Sequence, residues 1–256
     1  MAAPDPLIVG RLRTAGCVFA EDEARLLMQA ARTPAELDAM VERRAAGLPL
    51  EQVLGWAEFC GLRIAVAPGV FVPRRRTEFL VRQAVELARP GAVIVDLCCG
   101  AGAIGAALAA AVDWAEVHAA DIDPAAVRCA RLNLPAGHVY HGDLYEPLPA
   151  VVRSRVTILA ANVPYVPTPE IALLPPEARA HEPRAALDGG PDGLDVLRRV
   201  AAGAPAWLAP GGHLLIETSE RQAPSAGAAF TAAGLTARAV SSDDLDTTVV
   251  IGRRPA

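Results

Sequence analysis

Residues 92–110 read AVIVDLCCGAGAIGAALAA, and the organisation of the whole chain follows from how they are taken. Val93, Ile94 and Val95 suit a buried strand, and the alanine-rich stretch from Ala103 suits a helix. Between them Gly100, Gly102 and Gly105 match G-x-G-x-x-G, a turn whose missing side chains let a ligand reach the backbone at a helix N-terminus. The same three glycines also fit a tight strand-to-helix turn that holds nothing.

Outward from this turn, strand and helix patterns alternate. Strands are expected at 92–99, 116–122, 138–143, 156–163 and 213–218, and helices at 103–112, 124–133, 192–207 and 221–233. Such alternation specifies an α/β fold, a parallel sheet with helices on both faces. The runs TARAVSS (236–242) and TTVVIG (247–252) have no helix between them and should close the sheet as an antiparallel hairpin. Upstream, 77–88 reads as a helix, and WAEFCGLRIAVAPGVFVP (56–73) as short extended segments broken by Gly61 and Pro68-Gly69. Before that, Ala24, Leu27, Met28 and Ala31 mark one face of a helix over 21–31. Thr33, Pro34 and Glu36 form the start of another over 34–46, with the spacing of a capping box. The expected organisation is a helical N-terminal domain (1–48), a β-hairpin linker (49–75) and a larger α/β body (76–256).

The 256 residues carry a net charge of −5, and all 24 basic residues are Arg. Charge divides as +1 up to Arg89 and −6 beyond it, so neither part offers the broad basic face of a nonspecific nucleic-acid binder; Arg74-Arg75-Arg76 is the local exception. No apolar run is long enough for a membrane helix and no export signal is visible, which points to a cytoplasmic protein. Cys17, Cys60, Cys98, Cys99 and Cys129 contain no CxxC pair and no metal-ligand spacing with histidine, so free thiols and no metal are expected.

Asp96 sharpens the reading of the turn. A pyrophosphate arriving there would be repelled by a carboxylate. A ligand with an ammonium group, such as the methionine part of S-adenosylmethionine, would be attracted. Asp121 ends the second strand, where an acid can accept two ribose hydroxyls, and Asp143 ends the third, where an adenine amino group could be held. Ile122 and Leu144 beside them, and Cys98 in the turn, complete the candidate cofactor surface. Each acid also has a plain alternative: Asp121 as support for the turn capped by Asp123, Asp143 as an ordinary turn residue.

The fourth strand runs into Asn162-Val163-Pro164-Tyr165. A planar nitrogen is a poor nucleophile, and two acceptors fixed on its N–H groups would hold it as a methyl group arrives. The Asn162 side-chain carbonyl and the Val163 backbone carbonyl can be those acceptors, with Pro164 restricting the turn and Tyr165 offering a ring face. Read alone, NVPYVPTPE is also simple loop punctuation.

PLEQVLGWAEFCGLRIAVAPGVFVPRRRTEFLV, DLCCGAGAIG, NVPY and HEPRAALDGGPDGLDVLRRV together, in this order, resemble the HemK/PrmC family of protein-glutamine methyltransferases. The resemblance implies a seven-stranded Rossmann-like class I methyltransferase sheet, a helical substrate-docking domain and S-adenosylmethionine as methyl donor. The acceptor it implies is the glutamine of the Gly-Gly-Gln motif in peptide-chain release factors, and a monomer or weak dimer is expected. It likens Asp96, Gly100 and Gly102 to the cofactor turn, Asp121 to the ribose ligand, and Asn162 with Tyr165 to the substrate-amide clamp. Phe71, Pro73, Arg74, Thr77 and Glu78 match the segment that closes over the cofactor. Glu182, Pro183, Gly189 and Gly190 match a loop near the substrate. The chain departs from the family pattern at Val163, where proline is usual, at Arg74-Arg75-Arg76-Thr77-Glu78 in place of Arg-Pro-x-Thr-Glu, and in its shorter head. A nucleic-acid adenine or small-molecule N-methyltransferase, and a cofactor-binding module without activity, stand as alternatives.

Overall fold

The computed structural model describes residues 3–256. Its N-terminal part is a cluster of helices: α1 (Pro6–Thr14), α2 (Ala20–Ala30), α3 (Pro34–Ala45) and α4 (Leu50–Leu54). A hairpin of β1 (Trp56–Phe59) and β2 (Leu62–Ala65) follows, then α5 (Glu78–Leu87). The body continues as β3 (Val93–Leu97), α6 (Ala103–Ala111), β4 (Glu116–Asp121), α7 (Pro124–Asn133), β5 (His138–His141) and β6 (Val156–Ala161). After β6 come the short helix α8 (Pro176–His181), α9 (Asp195–Trp207), β7 (Leu208–Thr218), α10 (Ala223–Ala232), β8 (Thr236–Ser242) and β9 (Thr247–Arg253).

The sheet order is β5-β4-β3-β6-β7-β9-β8, parallel except at β9, which pairs antiparallel with β7 and β8. The expected terminal hairpin is therefore the sheet's far edge. Because the chain leaves β5 and crosses to the other side of β3, a crevice opens at the C-terminal ends of β3, β4 and β6, the usual ligand position in such sheets.

Side-chain alternation fixes what each strand delivers there. On β3, Val93, Val95 and Leu97 join the apolar layer containing Leu197, Trp207 and Phe230, while Ile94 faces the layer of α5, α6 and α7. Asp96 shares the parity of Ile94, which turns it toward α6. On β6, Ile158 and Ala160 face that same layer and Leu159 and Ala161 the opposite one. The period of two carries past the strand end: Asn162 follows Ala160, and Val163 follows Ala161 into the apolar layer, where it is 2 % exposed.

The head has its own apolar centre of Leu12, Leu27 and Val41. Two of its elements differ from expectation. α1 begins where no helix was expected, on an Asp5 side chain that accepts from Leu7 N–H at 2.8 Å, with Pro6 in the first position. α4 occupies the start of the expected hairpin segment and ends at Gly55, whose φ of +80° is left-handed. The capping box of α3 is half formed. Thr33 accepts from Glu36 N–H at 3.1 Å, but the Glu36 carboxylate reaches back to Arg32 N–H rather than to the cap. Among the described residues no helix is long and apolar enough to cross a membrane.

Candidate functional site

A cavity of about 710 Å³ fills the crevice. Its floor is the Cys98–Ala101 turn with Asp121, Ile122, Asp143 and Leu144; one end is Asn162–Tyr165. Its cover combines two distant stretches, Phe71–Thr77 and residues 174–188. Of the residues expected at the site, Glu78, Asp96, Gly102, Gly105, Gly189 and Gly190 do not line it; Glu78 instead accepts from Cys60 N–H at 3.0 Å.

Asp96 lies behind the turn, fully buried. One carboxylate oxygen accepts from Gly105 N–H at 2.9 Å; the other has no hydrogen-bond partner among the described residues. Burial pushes its pKa up to about 7, against the pull of the Gly105 amide and with a further push from Asp121. Gly102 is a packing glycine: its φ is +77°, and a Cβ there would stand 3.0 Å from the Ala130 methyl. Gly100, at φ +55°, would meet nothing within 4 Å, so its backbone is bare on the cavity side.

Asp121 ties the floor together, accepting from Gly100 N–H and from Asp123 N–H, each at 2.8 Å. The turn-support role and a place on the cavity wall thus belong to the same side chain. Burial raises its pKa, opposed by these amides. Ile122 leaves 58 % of its surface exposed beside it, an apolar platform at the cavity edge. Asp143 is held by Arg199 at 2.6 Å, and both line the cavity. Sequence reasoning missed Arg199, because only folding brings α9 across the end of β5.

At the Asn162 end, the side-chain amide donates to the Thr77 hydroxyl at 3.2 Å. That bond turns the amide oxygen away from Thr77, and neither this oxygen nor the Val163 carbonyl accepts a hydrogen bond from the described residues. Tyr165 is fixed on three sides. Its hydroxyl bonds to the Arg76 guanidinium, which also lies 5.7 Å from the ring centroid, and its carbonyl accepts from Gln222 Nε2 at 2.9 Å. Arg76 in turn donates to buried Glu217 at 3.0 Å. Arg76 and Glu217 were also not anticipated from the sequence; the departure at Arg74-Arg75-Arg76 was the one signal.

Glu182 is buried and accepts from Arg74 at 2.5 Å and from Val72 N–H at 3.4 Å, so it staples the two halves of the cover together. Burial raises its pKa, and Arg74 opposes the rise. Pro183 sits beside it on the cavity. The 187–193 stretch then folds over the Asn162–Tyr165 turn: Val166 N–H donates to Leu187 at 3.0 Å and Gly189 N–H to Val166 at 2.9 Å. From the head, Arg44 binds Glu23 at 2.6 Å and Glu177 of the cover at 3.3 Å.

A family model described as "Methyltransferase small domain" matches residues 61–164. Among curated relatives, the release factor glutamine methyltransferase of Geobacter sulfurreducens is 39 % identical over 208 residues, covering 78 % of this chain and 72 % of its own. That of Mycolicibacterium smegmatis is 39 % identical over 217 residues, covering 82 % of this chain and 76 % of its own. Among solved structures, a methyltransferase from Pyrococcus furiosus superposes with a TM-score of 0.59 at 15 % identity, over 86 % of this chain and 98 % of its own, a likeness of fold. With more than two thirds of such relatives matched at close to 40 % identity, the chain belongs to the release factor glutamine methyltransferase family.

Proposed function

We propose that this chain transfers a methyl group from S-adenosylmethionine to the side-chain amide nitrogen of a protein glutamine, that of the Gly-Gly-Gln motif of a peptide-chain release factor. The observation that carries the reading is the Asn162–Thr77 hydrogen bond, which leaves the Asn162 oxygen free beside an unengaged Val163 carbonyl. Two acceptors at one strand end suit the two N–H groups of a primary amide. They hold its nitrogen in line and favour the positive charge that develops on it. The proton can leave after transfer, so no strong base is needed.

The cavity fits the cofactor in size, in the bare backbone at Gly100, and in its field: the buried Asp96 carboxylate behind the Cys98–Ala101 turn and Asp121 on the wall favour a ligand carrying an ammonium group. When bound, S-adenosylmethionine supplies an electrophilic methyl group on sulfonium. Gly100, Asp121, Ile122 and Asp143 would hold it with Asp96 behind the turn, Phe71, Pro73, Arg74 and Thr77 would cover it, and Tyr165 with Glu182 and Pro183 would border the acceptor. In this reading the head (1–48) docks the protein substrate and Arg44 couples it to the cover through Glu177.

Labelled S-adenosylmethionine and purified release factors test the proposal, with the label located by peptide mass spectrometry. Label on the Gly-Gly-Gln glutamine is expected; label only on another protein or on nucleic acid rejects this acceptor.

The raised pKa of Asp96 gives a second expectation. In the folded protein the carboxylate holds its proton up to about pH 7, whereas unfolded it would lose it near 3.8, so ionisation costs stability as pH rises between those values. A cation on the cavity side of the turn favours the ionised form. S-adenosylmethionine should therefore bind about ten-fold more tightly at pH 8 than at pH 6 where this group governs binding, with proton release seen by calorimetry in buffers of different ionisation enthalpy. Asp96→Asn should flatten the dependence, and a flat wild-type profile would remove Asp96 from the cofactor site.

A further inference from the structure

A second cavity, of about 250 Å³, lies on the far side of Arg76 and Tyr165, which line both. It opens between the C-terminal end of β7 and the β8–β9 turn. Two of its lining residues, 2 % and 8 % exposed, carry a buried side-chain oxygen with no hydrogen-bond partner among the described residues: Glu217 Oε2 and Thr247 Oγ1. While ionised the first can only accept, and the second can accept as well as donate. Its rim carries Glu220, Asp243 and Asp246, all exposed and none in an ion pair among the described residues. The one cation in the wall, Arg76, is already spent on Glu217 Oε1 and the Tyr165 hydroxyl.

Unsatisfied buried acceptors under an unneutralised acidic rim call for a ligand rich in N–H groups and positive charge. We propose that this chamber is a subsite for a basic side chain, ammonium or guanidinium, of the acceptor protein, close in its sequence to the residue that is methylated. The shared Arg76–Tyr165 wall sets the spacing, since a chain whose amide lies at Asn162 passes this wall to reach the chamber. The subsite rests on the glutamine reading for its place in catalysis, but its binding chemistry does not.

The test has two arms. N-acetyl-argininamide and N-acetyl-lysinamide, with N-acetyl-alaninamide as neutral control, are titrated into the isotope-labelled full chain and followed through its amide signals. The cationic probes should shift Ser242 and Thr247 saturably and the neutral one should not, and Asp243→Asn with Asp246→Asn should weaken them about five-fold. In the second arm, Gly-Gly-Gln peptides carry Arg, Lys or Ala at each flanking position. At one position the basic residue should raise kcat/KM about ten-fold, and the double variant should erase that gain while keeping turnover of the Ala peptide. Equal treatment of cationic and neutral probes overturns the subsite. So does an advantage of basic peptides that survives in the double variant. Discrimination among the probes with no peptide methylated supports the subsite and overturns the glutamine reading instead.

Discussion

Asn162→Ala is expected to lower kcat by about 10²–10³-fold, the cost typical of removing one fixed polar partner of the transition state. The backbone acceptor of Val163 remains, so the amide would still be tethered at one N–H and free to rotate out of line. S-adenosylmethionine affinity should stay within about three-fold, because Asp96, Gly100 and Asp121 are untouched. Thr77→Val makes the finer distinction. It keeps the Asn162 side chain but removes the hydroxyl that orients it, and the amide can then present either end to the cavity. Turnover should fall about ten-fold, between wild type and Asn162→Ala. Single-turnover rates alongside calorimetric cofactor binding provide the check, and an Asn162→Ala enzyme within about ten-fold of wild type would end the clamp mechanism.

The place of Val163 follows from the same geometry. Val163 stands where the family pattern has proline. Parity places its side chain in the apolar layer behind the turn, with Ala161 and Leu197. The residue keeps the backbone carbonyl and fills the space with an apolar group. The turn is held from outside instead, by the Val166–Leu187 and Gly189–Val166 hydrogen bonds and by Gln222.

What could be read in the sequence was local. Strands with β-branched runs, helices with four-residue spacing and acids at successive strand ends all announce themselves within a dozen residues. The floor of the cavity was legible for that reason. The segments of the cover were expected from the family resemblance alone, and their pairings were not, because the partners lie far apart in the chain: Arg74 with Glu182 across 108 residues, Arg44 with Glu177 across 133, Arg76 with Glu217 across 141. No periodicity or spacing encodes such a pairing. The missed helices have other causes. α4 spans five residues, too few to show a helical period, and the signals for α1, Asp5 and Pro6, stand in a stretch too rich in breakers to be read as a helix start.

Gly193→Ala tests whether the stretch after Glu182 shapes the clamp or only covers it. Gly193 has φ +78°, and a Cβ there would lie 2.2 Å from the Tyr165 carbonyl oxygen and 2.4 Å from Gln222 Nε2. The left-handed backbone alone costs an alanine about 1–2 kcal/mol. The clash adds more, since its nearest neighbour is backbone. Relief requires either the 187–193 stretch or Tyr165 to move, and the second would also break the 2.9 Å bond from Gln222. A shift of about 1 Å at Tyr165 suffices to cost on the order of 10²-fold in kcat/KM. Cofactor affinity should be little changed, because Gly193 touches neither the glycine turn nor Asp121. Gly227→Ala is the matched control: it sits in α10 with open space where its Cβ would go, and should be neutral or slightly stabilising. If Gly193→Ala turns over like this control while its melting temperature falls, the stretch stabilises the fold without positioning Tyr165. If turnover falls with cofactor binding intact, the glycine is there because the clamp needs its carbonyl where a methyl group would otherwise stand.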